Sequence, residues 1–278
     1  MSDRALVLGG GGVTGIAWEL GVLAGLADAG VDLTSADLFV GTSAGSAVAS
    51  MIASGSGLRE RYESQLAGPG DEIPAKLGAS LFARYAWAIM RSRSSEQFGA
   101  RMGSLALATR TVSSAERRDV IASRLNVGDW PTRPLKLTAV DAATGEFVVF
   151  DRDSGVSPID AVAASCAVPG VWPPAEINGR RYLDGGMRSA VNADLASGTS
   201  KIVVLAPIVR GGGPLTPPAR QVAALRAEGA RVVLISPDAT ALRAIGRNVL
   251  DPARRKPAAE AGYAQATTQA ESVAQIWS

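Results

Sequence analysis

Histidine is absent from all 278 residues, and cysteine occurs once, at Cys166. The first absence excludes every Ser-His-Asp and Cys-His arrangement within one chain, and every histidine-ligated metal site. A nucleophile here must find its base in a carboxylate, a lysine or the N-terminal amine. The second absence leaves no intrachain disulfide framework and no thiolate metal cluster. No stretch approaches about eighteen large apolar residues in a row, so no membrane-spanning helix is expected. An excess of either charge sign is also missing. The formal net charge is +2, with 19% charged and 47% hydrophobic residues. That balance suits a chain able to bury a substantial core, and it makes no demand for nucleic acid. Asp3 and a glycine run fall within the first ten residues, so no secretory signal is expected and a cytoplasmic location is.

What the chain does have is glycine at the ends of short apolar runs. Ala5 to Leu8 reads as a buried strand, followed by Gly9-Gly-Gly-Gly-Val-Thr-Gly15 and a helix from Gly15 to about Asp28. Asp37 to Gly41 is a second apolar run. After Ser43 comes a helix of small residues, Ala44 to Ala53, stopped by Gly55 and Gly57. Gly68 to Pro74 is turn-rich and reads as a surface connection. From Ile73 to Arg118 eight basic residues face two acids, Glu96 and Glu116, interleaved with Phe82, Tyr85, Trp87, Ile89 and Met90.

Strand signals resume at Leu135 to Val140 and Glu146 to Phe150, a hairpin across Asp141 to Gly145. A short helix is expected over Asp160 to Ala167, with Asp160 as its cap, ended by Pro169, Pro173 and Pro174. Further strands are expected over Ile202 to Ile208 and Val232 to Ser236, with a loop over Gly211 to Pro218 and an Ala-rich helical tail. With no internal repeat and no linker, the pattern predicts one α/β unit. It would comprise a domain over 5–210, in which 73–118 is a basic, helical, lid-like insertion, and 211–278 packed on the same domain.

Gly41-Thr-Ser43-Ala-Gly45 is a G-x-S-x-G between an apolar strand and a helix of small residues. A nucleophile on a sharp strand-to-helix turn needs unusual backbone angles, which favours glycine two residues to either side. The helix N-terminus, opening at Ala44, presents backbone N–H groups beside the serine oxygen. The bland alternative is a glycine-flanked turn with a surface serine. The opening loop also fits a dinucleotide fingerprint, Gly10-x-Gly12-x-x-Gly15. That reading requires an acid at the end of the second strand, and Asp32 lies before it. A row of backbone donors facing a nucleophile serves acyl transfer instead, where one oxyanion donor is worth roughly 3–4 kcal/mol. For the base, Asp184 in Asp184-Gly185-Gly186 is the best-placed carboxylate. Asp141 reads as a turn former, and Asp160 as a cap.

Taken together, Gly10-Gly-Gly-Val-Thr-Gly15, Gly41-Thr-Ser-Ala-Gly45, Asp160 to Gly170 with Pro173-Pro174, and Asp184-Gly-Gly186 resemble the patatin-like phospholipase family. The resemblance implies a three-layer α/β/α fold with a mainly parallel sheet, and lipid acyl ester hydrolysis without cofactor or metal. Ser43 would be the nucleophile and Asp184 its base, with N–H groups of Gly10, Gly11, Gly12 and Ala44 as the oxyanion hole. Gly15, Gly41, Gly45, Gly185 and Gly186 would be motif glycines. The family usually carries Arg or Lys where this chain has Thr14, which removes a positive charge near a phosphate head group. A catalytically weak lipid-binding protein therefore stands as the alternative, ahead of a nucleotide-binding enzyme. The 73–118 segment is either a peripheral membrane contact or a pair of ordinary helices packed on the core.

Overall fold

Apolar runs of four or five residues, separated by helices, build strands buried on both faces. The computed structural model describes residues 3–67, 75, 78–125, 127–209 and 211–277. The turn-rich Gly68 to Pro74, with Lys76 of the basic segment, lies outside the described residues. In chain order the strands are β1 (Arg4–Leu8), β2 (Leu38–Gly41), β3 (Leu135–Asp141), β4 (Phe147–Phe150), β5 (Ala175–Ile177), β6 (Arg180–Asp184), β7 (Lys201–Leu205) and β8 (Arg231–Ile235). The helices are α1 (Gly12–Asp28), α2 (Ala44–Ala53), α3 (Leu58–Leu66), α4 (Ala79–Arg91), α5 (Ser95–Ala108), α6 (Ser114–Leu125), α7 (Pro158–Ser165), α8 (Pro218–Ala227), α9 (Ala239–Ile245) and α10 (Arg255–Trp277).

The strands form one sheet in the order β5-β6-β3-β2-β1-β7-β8, with β4 also paired to β3. The run from β3 through β2, β1 and β7 to β8 is parallel, and β4, β5 and β6 join antiparallel. Side chains alternate across it as the pleat requires. Leu6 and Leu8 of β1 enter the core beneath α1, α2, α7 and α10, while Ala5 and Val7 face the other layer, under α8. A third cluster joins α4 and α5 to β3 and β6 through Phe98, Met102, Val140 and Leu183. The architecture is three layers, α/β/α.

One register positions everything that follows. Leu137 of β3 pairs with Gly41 on one edge and with Phe150 on the other. Two residues on, Ala139 pairs with Asp184 and with Val148. Since β4 keeps its edge throughout, β2 and β6 must share the opposite one. The end of β2 and the end of β6 therefore meet head-on, which brings Gly41 and Asp184 together across the sequence.

Several sequence expectations are corrected here. Helix α1 begins at Gly12, so its first turn is made from the glycine loop itself. Strand β7 stops at Leu205, because the chain then turns over that loop: a Cβ on Gly11 would lie 2.6 Å from Pro207 Cβ. Pro218 begins helix α8 rather than ending a loop, using the first-turn position where a missing N–H costs nothing. Helix α7 spans Pro158–Ser165 and is capped by Ser157, so Asp160 is its third residue and pairs with Arg118 at 2.5 Å. Asp32 caps a short 3-10 turn by accepting the Thr34 N–H.

Candidate functional site

Ser43 leaves β2 with φ 53° and ψ −117°, a left-handed conformation rare for a residue bearing a side chain. Glycine on either side permits the turn. A Cβ on Gly41 would meet Ser46 Cα at 2.5 Å, and one on Gly45 would meet the Leu8 carbonyl at 2.1 Å. Helix α2 thus lies against the end of β1, with the Gly45 N–H donated to Gly9 O at 2.9 Å. Ser43 is 7% exposed, and its Oγ donates to Asp184 Oδ2 at 2.6 Å. The other carboxylate oxygen accepts the Gly186 N–H at 2.7 Å. Gly185 passes Thr138 so closely that a Cβ would lie 2.2 Å from its Oγ1.

Asp184 is 3% exposed, and burial lifts its pKa to about 6 against the opposing hydrogen bonds from Ser43 and Gly186. Asp141, by contrast, accepts the N–H groups of Ala143 and Thr144 and pairs with Arg180. Those contacts hold its carboxyl below the usual range despite desolvation. It forms the β3–β4 turn and takes no part near Ser43.

The glycine loop and the elbow converge. A Cβ on Gly10 would sit 3.5 Å from Ser43 Cβ. Among the described residues, the N–H groups of Gly11, Gly12 and Ala44 donate to no protein acceptor. Gly12 and Ala44 open two helices whose positive dipole ends meet at the serine. The Gly10 N–H, expected among the donors, is instead given to Ala190 O at 2.7 Å. Beneath the loop, fully buried Glu19 accepts the Gly9 N–H at 2.9 Å, and desolvation raises its pKa well above the carboxylate range.

Sequence residues 6–197 match the family described as patatin-like phospholipase. The chain belongs to that family. Membership supports lipid acyl hydrolysis as its activity. Among solved structures, the chain is similar to VipD from Legionella pneumophila at 13% identity and a TM-score of 0.48, over 97% of this chain and 67% of that one. It is also similar to the type III effector protein ExoU at 16% identity and a TM-score of 0.45, over 98% of this chain. It spans about half of ExoU, 53% of that chain.

In this member of the family, Thr14, where the resemblance leads one to expect Arg or Lys, does not line the pocket that reaches Ser43. Thr14 is fully buried, and both its N–H and its hydroxyl reach the Val249 carbonyl at 3.2 Å. It ties α1 to the segment before α10. A pocket of about 440 Å³ reaches Ser43, within the range of ligand sites, roughly 300–1,000 Å³. Its wall near the elbow is apolar, with Ile16, Ala47, Met51 and Val162. Arg61, Arg117, Arg124 and Arg255 also line it, and Arg117 stacks 3.8 Å over Trp172.

Sequence reasoning missed a buried polar network behind the dyad. Asn192, with φ 48°, directs its amide nitrogen at Thr42 Oγ1 (3.1 Å), Thr138 Oγ1 and Gly185 O (each 3.3 Å). It also missed Ser165 and Cys166, which contact the Ser43 backbone. Small polar residues at a helix end carry no pattern by which to find them.

Proposed function

We propose that this chain hydrolyses fatty acyl esters through a Ser43–Asp184 dyad and an acyl-enzyme. The observation that carries this reading is the 2.6 Å hydrogen bond between a strained serine and a buried aspartate. The Ser43 hydroxyl attacks the ester carbonyl carbon as its proton passes to Asp184 Oδ2. The carbonyl oxygen becomes an oxyanion facing the N–H groups of Gly11, Gly12 and Ala44. The carbon–oxygen bond to the alcohol then breaks, and the alcohol leaves with the proton from Asp184. Water attacks the acyl-enzyme and gives its proton to Asp184, which returns it to Ser43 as the fatty acid departs.

An ordinary aspartate, near 3.9, is a weak base for this step. Burial, which raises Asp184 to about 6, narrows the mismatch, and no histidine is required. The burial of Thr14 supports hydrolysis over a binding-only role, since the departure from the family pattern lies outside the pocket. A fluorophosphonate probe tests the assignment. It should label the wild-type chain, fail on Ser43→Ala, and react far more slowly with Asp184→Asn. Equal labelling of wild type and Ser43→Ala rejects the nucleophile.

Helix α4 supports a peripheral membrane contact, which we also propose. Its inner side is seated by Tyr85, whose hydroxyl donates to Pro169 O at 2.9 Å, and by buried Ala88. The opposite side exposes Phe82 (67%), Trp87 (53%) and Met90 (77%), bordered by Arg84 and Arg91. An apolar face edged with arginine fits an anionic lipid surface. Among the described residues, no helix is long and apolar enough to cross a membrane.

A further inference from the structure

Ser165, Cys166 and Ala167 close helix α7 between the two turns of the dyad. Fully buried Ser165 accepts the Ser43 N–H on its Oγ at 2.9 Å. Cys166 Sγ donates to the Ser43 carbonyl at 3.2 Å, where Ser46 Oγ also donates at 2.6 Å. The Ala167 carbonyl accepts the Asp184 N–H at 3.1 Å. One tripeptide therefore grips the nucleophile's backbone on both sides and its base's backbone on one.

We propose that Ser165–Cys166–Ala167 is a positioning element that holds Ser43 in its left-handed conformation and sets the Ser43–Asp184 separation. This rests on the dyad reading above. A non-glycine residue in a sparsely populated backbone region costs about 1–3 kcal/mol and persists only where its surroundings over-determine it. Among the described residues, Ser165 Oγ is the sole acceptor of the Ser43 N–H. Without it that N–H is buried and unpaired, on a peptide that relieves strain by rotating. Rotation carries Cβ and Oγ away from Asp184, and a hydrogen bond does not survive a displacement of about 1 Å.

The carbonyl side is less exposed to loss, because Ser46 remains when Cys166 is removed. The base stays in place in every side-chain variant, because its contact is with the Ala167 backbone. Ser165 is thus the residue whose loss parts the nucleophile from a base that does not move. No helical or strand periodicity marks it, since its role depends on where α7 ends against a turn 122 residues earlier.

The test compares Ser165→Ala, Ser165→Cys and Cys166→Ala on p-nitrophenyl butyrate between pH 5 and 9. In Ser165→Ala, kcat should fall about 10- to 100-fold, the scale of an ångström misplacement, while KM changes less than about twofold. The acid limb of its pH profile should move to higher pH, because the Ser43 hydroxyl no longer donates to the Asp184 carboxylate. Ser165→Cys, with a weaker acceptor at the same position, should fall between Ser165→Ala and wild type. Cys166→Ala should lose far less. An unchanged kcat in Ser165→Ala overturns the proposal. So does a lowered kcat with an unmoved acid limb, which assigns Ser165 to the fold alone. If Ser165→Ala does not fold, wild-type kinetics in Ser165→Cys reject it. Activity surviving in Ser43→Ala rejects the dyad reading itself, a result separable from all of these.

Discussion

Asp184 takes the Ser43 hydroxyl on one carboxylate oxygen at 2.6 Å and the Gly186 N–H on the other at 2.7 Å, so neither oxygen is left to rotate freely. The two residues lie 141 positions apart. They meet because β3 trades β2 for β6 along one edge, and the Thr42–Thr138–Asn192 network locks that exchange from behind.

The pH dependence of activity should follow from the burial of Asp184. With its pKa raised to about 6, the basic form disappears below that value. On a soluble ester, kcat/KM should then fall about tenfold per unit on the acid side. A limb centred near 4 would mean that Asp184 is solvated in solution.

The same shift has a consequence for stability, with a definite sign. A carboxyl group whose folded pKa lies above its unfolded value supports the fold at low pH. That support is lost as pH rises through the folded value, here between about 4 and 6. Asp184→Asn removes the charged form. It should melt a few degrees above wild type at pH 7, and the gap should close towards pH 4. A gap that widens on acidification contradicts the assignment.

Glu19 offers a parallel test away from the reacting atoms. Its Oε1 holds the Gly9 N–H, while Oε2 has no hydrogen-bond partner among the described residues. Glu19→Gln keeps the acceptor and cannot ionise, so its stability relative to wild type should rise as pH climbs above the ordinary carboxylate range, because burial penalises the charged form of Glu19. Glu19→Leu should lose about 1 kcal/mol by chemical denaturation, since Gly9 N–H keeps a second acceptor in Leu205 O at 3.0 Å.

Two glycines should respond differently to alanine. At Gly45 the new Cβ meets backbone, Leu8 O at 2.1 Å, so the elbow helix must move and the protein should lose about 1–3 kcal/mol or more. At Gly186 the close neighbour is Asp184 Oδ1 at 2.9 Å. Gly186→Ala should therefore keep its melting temperature while turnover falls.

Helix α4 should govern lipid association. Replacing Phe82, Trp87 and Met90 together by serine should lower co-sedimentation with phosphatidylserine-containing vesicles by about tenfold or more, with circular dichroism unchanged. Added salt should weaken wild-type binding, because arginines border the face. Full retention of vesicle binding places the membrane contact elsewhere.

The strands, the elbow and the candidate nucleophile and base are legible along the chain, because each depends on neighbours a few residues away. A glycine must flank a strained turn, an apolar run must be buried, and a chain without histidine must use another base. Helix boundaries at α7 and α8 are less legible, since Ser157 and Pro218 compete with equally plausible starts nearby. What the sequence by itself determined is therefore the family, the layered fold and the residue types available for chemistry. Only the tertiary structure decided which backbone donors remain unspent, why Thr14 faces Val249 rather than the pocket, and how Ser165 reaches Ser43. Those relations depend on distance and burial between segments far apart in sequence, and no local pattern encodes them.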